Sequence, residues 1–404
     1  MAIRRYALSA ALVVYLLLCL TFGGASRDWL AMHGTLQALA AIGTALLVIT
    51  WPRALLLGHA WIPIGLAVAV MAISAVHCLA LPADVWAALP GRERILDGYQ
   101  SIGVSHGDMP LSLKIEATYS SIGYPLTPLF VVLLCLRMGL RGLRAVVPIF
   151  LCTVGVASVL IGLSQVLSQP SISLYFYENT NIGFPVGTFA NVNHFGCLLL
   201  MLFPFCILLL REARGANHFG DRQMAQMAIF ASVLLVLVIG IAAAGSIAIY
   251  LMAFPVVWLA IFGSRENSSR IARPKILVAS IAIATSLGVV SVLSGPMSEG
   301  LGISNFSADP TSRQSIWEFT IQGIREYWPI GSGAGTYESV IPQFENPNIV
   351  TSRYIALAHN EYLQLTMEFG AAGVIVLSIA IVWLLFRFRA VWLLAPNLGW
   401  QAGR

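Results

Sequence analysis

The sequence predicts an all-α polytopic membrane protein with about ten transmembrane helices and a large periplasmic loop subdomain before the last helix. Of its 404 residues, 58% are hydrophobic and only 10% are charged, so the chain cannot cover a water-soluble surface. Apolar runs of about 20 residues, the length that crosses a bilayer, recur along it. Basic residues concentrate in alternate loops. These three observations indicate the class before any motif is considered.

The proposed spans follow from windows of about 19 residues. They are residues 6–24, 34–51, 61–81, 119–136, 145–167, 193–210, 226–244, 246–263, 275–293 and 371–386. The first follows Arg4 and Arg5 as a signal peptide would, but further spans follow and no small-residue cleavage site is convincing. We therefore interpret it as a retained helix and treat residues 1–404 as a single polytopic membrane domain.

The basic residues indicate the orientation of the chain. If the amino terminus is cytoplasmic, 16 of the 23 lysine and arginine residues fall in inside loops, and every inside loop contributes. Only Glu212, Asp221 and Glu266 are acidic residues on that side. The positive-inside rule therefore predicts a cytoplasmic amino terminus. The net charge of +5 reflects this topology, and we predict no nucleic-acid partner from it.

Three outside segments are long enough to carry function, namely residues 82–118, 169–192 and 294–370. The last mixes apolar and polar residues, contains tryptophan and tyrosine, and has no low-complexity tract, as a small folded subdomain does. We predict the functional site in this large periplasmic loop.

Several other site classes are disfavoured by the motifs. The six cysteines lie within or at the edges of proposed spans, where packing is their expected role. No C-x-x-C, H-E-x-x-H or P-loop motif is present, and we predict neither a metal nor a cofactor. Gly331, Gly333 and Gly335 form a G-x-G-x-G run that is predicted to be a turn. A transporter is disfavoured because the spans hold almost no ionisable residue apart from His77 and show no internal repeat.

A polar cluster lies beside the start of the last span. His359 and Asn360 are followed after nine residues by a G-x-x-G run, Gly370 to Gly373. Taken alone, the histidine is better explained by a helix cap or a bond to a loop carbonyl than by chemistry. The same outside segment, however, contains three arginines, Arg313, Arg325 and Arg353. Together these residues predict an anion site at the membrane surface.

Three blocks of the sequence carry a family resemblance. The first is residues 187–195, G-T-F-A-N-V-N-H-F, entering a span. The second is residues 313–317, R-Q-S-I-W, followed by residues 328–333, W-P-I-G-S-G. The third is the H-N-x9-G-x-x-G pattern of residues 359–373. In these blocks the chain resembles the O-antigen ligase and O-antigen polymerase superfamily, which includes protein O-oligosaccharyltransferases of bacterial envelopes.

The resemblance implies a metal-independent glycosyltransferase with a fold similar to the GT-C type. Its donor would be a glycan linked to a polyprenyl diphosphate such as undecaprenyl diphosphate, and its acceptor a glycan, a lipid A-core or a protein. It would act at the periplasmic face of the bacterial inner (cytoplasmic) membrane, in the biosynthesis of lipopolysaccharide or exopolysaccharide. We prefer a ligase or polymerase, and a protein O-oligosaccharyltransferase stays open, since these enzymes differ in acceptor and not in donor.

The resemblance also assigns roles to residues. Arg313 would stabilise the diphosphate leaving group, and His359 would take the proton of the acceptor hydroxyl. Asn191 and Asn193 are equally well placed to cap the span that follows them. The further candidates for substrate binding are Arg353, Arg325, Asn360, Asn191 and Asn193.

Two positions depart from the family pattern. Where relatives have Ser-Arg-Gly at the outer end of a span, residues 244–248 read Ala-Gly-Ser-Ile-Ala, without a basic residue, and Trp317 stands where the pattern after Arg313 has leucine. Another outside cation is then expected to complete the diphosphate site. The candidates are Arg353, Arg325, Arg27, Arg92, Arg94 and Lys114. A non-catalytic divergent relative or a polysaccharide-export component stays open as an alternative.

Overall fold

A computed structural model describes residues 2–24, 30–51, 61–168, 174–214, 220–262, 313–347 and 354–389. The described chain is mostly helical, as the sequence predicts. Within it, the only sheet is a short antiparallel pair in which β1 (Ala80–Leu81) faces β2 (Met109–Pro110).

The α-helices are numbered here in chain order. They are α1 (Ala2–Phe22), α2 (Leu30–Thr50), α3 (Trp61–His77), α4 (Ala83–Ala87), α5 (Glu93–Ser101), α6 (Ile115–Ile122), α7 (Leu126–Phe150), α8 (Val156–Leu167), α9 (Val192–Arg214), α10 (Asp221–Ala243), α11 (Ile247–Phe262), α12 (Arg313–Tyr327), α13 (Tyr337–Val340) and α14 (Glu361–Arg389). A π-helical segment, Leu151–Gly155, joins α7 to α8, and a 3-10 segment, Ile341–Phe344, follows α13.

Six stretches of the described chain are long and apolar enough to cross a membrane. They are Ala31–Thr50, Ile115–Gly139, Gly142–Leu167, Val192–Ala213, Asp221–Ala243 and Glu361–Arg389. Three further predicted spans coincide with shorter apolar helices, Tyr6–Phe22, Trp61–His77 and Ala248–Trp258. The predicted span 275–293 lies outside the described residues. A helical chain with several apolar helices is confirmed, whereas the number ten and the periplasmic subdomain stay predictions.

The chain divides into two compact units. The first unit contains residues 1–36, 134–297 and 391–404, and the second contains residues 37–133 and 298–390. The expectation of a single polytopic domain with outside segments 82–118, 169–192 and 294–370 stays a prediction.

The core of the first unit is formed by α8 to α11, with Phe195, Leu199 and Leu237 fully buried. Gly240 allows close helix packing, since a Cβ there would lie 2.6 Å from Val159. The buried amide of Gln165 ties the loop before α9 to α8. It accepts the Gly187 N–H at 2.9 Å and donates to the Gly187 carbonyl at 2.8 Å.

The core of the second unit lies between α12 and α14. Its buried residues share an apolar character and come from both helices and the loops between them: Ile316, Phe319, Tyr327, Tyr337, Val340, Ile341, Ile355, Ala358 and Met367. The helix α14 changes direction at Gly370, whose φ of 57° and ψ of −140° are not helical. This kink separates a short segment beside the core from the long apolar segment after it.

Candidate active site

In the loop before α14, Ala358 is fully buried, and both its carbonyl and its N–H are hydrogen-bonded. The Ala358 carbonyl accepts the indole N–H of Trp317 at 3.1 Å, and the Ala358 N–H donates to Oε1 of Gln364 at 3.2 Å. Asn360 then caps α14, because its Oδ1 accepts the N–H groups of Tyr362 at 3.1 Å and Leu363 at 3.3 Å. The backbone around His359 is therefore held by both neighbours.

His359 itself has an unusual backbone conformation. Its φ is 51°, and it is the only non-glycine residue with positive φ among the described residues. Side chains disfavour this left-handed region, at a cost of about 1–3 kcal/mol, and such residues cluster at functional sites. The hydrogen bonds to Ala358 and the cap at Asn360 offset that cost.

Arg313 lies close enough to His359 to change its ionisation. It is the first residue of α12, one turn before Trp317, and these two residues project from one face of the helix. The indole bond to Ala358 consequently brings that face to the histidine loop. Partial burial of the ring lowers the pKa of His359, the positive charge of Arg313 lowers it further, and the carboxylate of Glu361 opposes both.

Both side chains remain available to a ligand. The side chains of Arg313 and His359 are exposed, and no described residue hydrogen-bonds to the imidazole ring. A neutral imidazole beside a fixed guanidinium can accept a proton while the cation holds an anion.

The glycines of the second and third sequence blocks meet at backbone distance. The N–H groups of Ser332 and Gly333 donate to the carbonyls of Met367 and Glu368 at 3.0 and 2.9 Å. A Cβ at Gly370 would collide with the Pro329 carbonyl oxygen. The G-x-G run and the G-x-x-G run are thus parts of one close contact beneath the histidine loop.

Glu368 lies in that contact and was not singled out by the sequence analysis. Its side chain is 6% exposed, and its carboxylate accepts the N–H groups of Gly335 at 2.8 Å and Tyr337 at 3.2 Å. The amide of Gln364 donates to the same carboxylate at 3.4 Å. The signal in the sequence is an ionisable residue next to an apolar span, four residues after Gln364 and eight after Asn360, which places all three on one helix face.

The structure separates Arg325 from Arg313. Arg325 is exposed in the last turn of α12, 12 residues after Arg313 and so roughly 18 Å away along the axis. Its positive charge there interacts favourably with the negative end of the helix dipole. Arg353 lies outside the described residues. A role for Arg325 or Arg353 in substrate binding stays a prediction, as does one for Asn360 beyond its cap.

Asn191 and Asn193 belong to the first unit, and their side-chain oxygens accept hydrogen bonds from other groups of the protein. Asn191 caps α9, because its Oδ1 accepts the Asn193 N–H at 2.8 Å. Oδ1 of Asn193 accepts the hydroxyl of Ser246 at 2.6 Å. Ser246 belongs to the turn where relatives have Ser-Arg-Gly, and Gly245 in that turn has a φ of 64°. Their predicted contact with substrate stays untested.

Of the remaining cations predicted to lie outside, Arg92 is a structural residue. It is 1% exposed, donates to the Leu111 carbonyl at 2.6 Å and lies over the rings of Trp86 and Tyr327. Burial lowers the pKa of Arg92 to about 10, so the group stays charged at neutral pH. Arg94 is exposed and donates to the Gln343 carbonyl at 3.0 Å.

Lys114 is exposed, and Arg27 lies outside the described residues. In the part of the chain that the structure describes, no group of three or more His, Cys, Asp or Glu side chains could hold a metal ion.

One comparison with known proteins covers the second and third sequence blocks. The sequence model of a family described as O-antigen ligase matches residues 199–378. That range includes Arg313 and His359 but begins after Asn191 and Asn193. No curated protein and no solved structure matches the chain.

Proposed function

We propose that this chain, in which residues 199–378 match the family described as O-antigen ligase, transfers a glycan from a polyprenyl diphosphate to an acceptor hydroxyl. The transfer takes place at the periplasmic face of the bacterial inner membrane. The observation that carries the proposal is the Trp317 to Ala358 hydrogen bond, which brings the α12 face bearing Arg313 to the loop bearing His359.

In the proposed step, the acceptor oxygen attacks the anomeric carbon of the donor glycan. A new carbon–oxygen bond forms, the bond to the diphosphate oxygen breaks, and its electron pair leaves with the polyprenyl diphosphate. His359 accepts the hydroxyl proton. Its lowered pKa keeps the imidazole neutral at pH 7, as a general base requires.

Arg313 stabilises the charge that develops on the leaving group. A guanidinium grips two phosphate oxygens at once and remains charged at any physiological pH. In this proposal it does the work that a metal ion does in other glycosyltransferases, and no metal is needed. At the same time, the positive charge of Arg313 adds to the effect of burial in lowering the pKa of His359, so one residue contributes to both ends of the reaction.

We prefer a ligase or polymerase of a surface polysaccharide, with lipid A-core or a growing glycan as acceptor. Protein O-oligosaccharyl transfer is the second candidate within the same chemistry. A non-catalytic relative is the third, and the turn at Gly245 and Ser246, which carries no arginine, is the observation that favours it.

The test uses the purified full chain in liposomes with a polyprenyl-diphosphate-linked glycan. We expect release of polyprenyl diphosphate that depends on the acceptor, tested separately with lipid A-core, free glycan and protein. Release with one acceptor class identifies the activity. Donor binding without release for every acceptor would favour the non-catalytic alternative, and absence of donor binding would contradict the proposal.

The orientation is part of the proposal and has its own test. Single cysteines near positions 100, 180 and 340, in a background without the native cysteines, should react with an impermeant reagent from the periplasmic side. Cysteines near positions 140, 217 and 268 should react only from the cytoplasmic side. Reaction of the exposed position 342 from the cytoplasmic side alone would contradict the topology.

A further inference from the structure

We propose that Gln364 is a positioning residue for His359 and that the buried carboxylate of Glu368 holds Gln364 in the required orientation. The inference rests on the proposed function, because it assigns His359 a chemical role. It adds to that role a part-buried, hydrogen-bonded connection between the histidine loop and the glycine contact.

The first step is the geometry of α14. Gln364 lies one turn after Asn360 and one turn before Glu368, so the three side chains lie along one helix face. The side-chain amide of Gln364 connects the loop before α14 to Glu368. Its Oε1 accepts the Ala358 N–H at 3.2 Å, and its Nε2 donates to Oε1 of Glu368 at 3.4 Å.

The second step is the direction of these bonds. Both oxygens of Glu368 already accept a backbone N–H, Oε2 from Gly335 and Oε1 from Tyr337, and Oε1 has a lone pair left for the Gln364 amide. The amide of Gln364 must therefore turn its NH2 group to Glu368. Its oxygen is then left for the Ala358 N–H. Without Glu368, either the oxygen or the NH2 group of the Gln364 amide could point at the loop. The NH2 group would face the Ala358 N–H, and two donors cannot form a hydrogen bond.

The third step connects this bond to His359. The Ala358 N–H immediately precedes the residue with φ of 51°, so loss of the bond lets the loop relax toward ordinary negative φ. Such relaxation moves the imidazole away from the acceptor hydroxyl. A misplacement of about 1 Å costs on the order of a hundredfold in rate.

The experiment compares Gln364→Ala with Gln314→Ala in the full chain in lipid nanodiscs. Gln314 is the matched control, because it makes the same pair at the same spacing, with Glu318 at 3.1 Å, on an exposed face of α12. Hydrogen exchange of residues 354–360 and steady-state transfer are measured for each. We expect faster exchange and a kcat lower by roughly tenfold to a hundredfold in Gln364→Ala, with the donor KM unchanged. Gln314→Ala should leave both measurements as in the wild type.

The pH profile separates positioning from a general loss of structure. In Gln364→Ala the ring moves away from Arg313, so the acidic limb of kcat/KM should move to higher pH than in the wild type. Unchanged exchange in residues 354–360, or faster exchange with wild-type kcat, would overturn the inference. A wild-type chain without transfer would overturn the proposed function instead, while the exchange measurement would still test the connection.

If Gln364→Ala does not accumulate, Gln364→Met keeps the inference testable. Methionine has nearly the length of glutamine, so it fills the same space and removes only the hydrogen bonds to Ala358 and Glu368. We expect the same faster exchange of residues 354–360 and a lower kcat, and wild-type values for both would overturn the inference.

Discussion

In the first unit, Asn191 and Asn193 use their side-chain oxygens within the protein, whereas in the second unit Arg313 and His359 leave their side chains exposed. Both pairs come from blocks that resemble one family. The backbone around His359 is nevertheless held, through Ala358 and Asn360. A fixed backbone that carries an unused polar side chain is typical of a reactive site, and a satisfied side chain is typical of a structural one.

The largest effect should come from Arg313. Arg313→Ala removes the cation that stabilises the leaving group, and transfer should fall by roughly two or more orders of magnitude at normal protein level. Arg313→Lys should also be poor, since a point charge does not reproduce bidentate geometry. Arg325→Ala, at the other end of the same helix, should lose less. Equal losses in the Arg313 and Arg325 variants would mean that both ends of α12 contact the donor.

The close glycine contact gives the second test. Gly370→Ala places a Cβ against the Pro329 carbonyl at a position with positive φ and should destabilise the second unit by about 2–4 kcal/mol. Gly98→Ala is the control, because a Cβ there meets nothing within 4 Å in α5. It should be neutral or slightly stabilising. Thermal unfolding in detergent measures both, and equal melting temperatures would contradict the contact.

The asparagines of the first unit should affect stability more than transfer. Asn191→Ala removes the cap of α9 and should cost about 0.5–2 kcal/mol, while Asn191→Ser keeps a capping oxygen and should restore most of it. We expect the transfer rate per folded protein to change by less than roughly tenfold. Loss of a general base would lower that rate by at least about 10²-fold. If Asn191→Ala lost most of its transfer activity while its melting temperature stayed that of the wild type, Asn191 would instead contact the substrate. The contrast between the units would then disappear.

The smallest effect concerns ionisation. Because Glu361 opposes the lowering of the His359 pKa, Glu361→Gln should lower that pKa further. The base is active above its pKa, so the acidic limb of kcat/KM should move to lower pH. Thr366→Val, a nearby change on the same helix without charge, should leave the limb in place. Movement to higher pH in Glu361→Gln would contradict the electrostatic environment described for His359.

Local patterns explain what the sequence could predict. Apolar windows located the helices, and Asn191 was correctly considered as a cap because capping depends on a few neighbouring residues. The family resemblance is confirmed by the match over residues 199–378. By contrast, the bond from Trp317 to Ala358 joins residues 41 apart, and no local propensity encodes it.

The same limit applies to the glycines and to Glu368. The prediction of a turn for the G-x-G-x-G run holds for part of it, residues 334 and 335. Its contact with Gly370, however, depends on how two distant segments pack. Trp317 was noted only as a departure from a family pattern, although its indole holds the histidine loop. Tertiary hydrogen bonds of this kind decide which polar residues are structural, and they become visible only in the fold.

The most direct test of the account is the pH dependence of transfer by His359→Ala beside the wild type, with donor and acceptor saturating. We predict a loss of roughly a hundredfold or more, and disappearance of the acidic limb, because the proton acceptor is gone. Protein level and donor binding should stay normal. A His359→Ala enzyme that transfers glycan at the wild-type rate with the same acidic limb would contradict the assignment of His359 as the base.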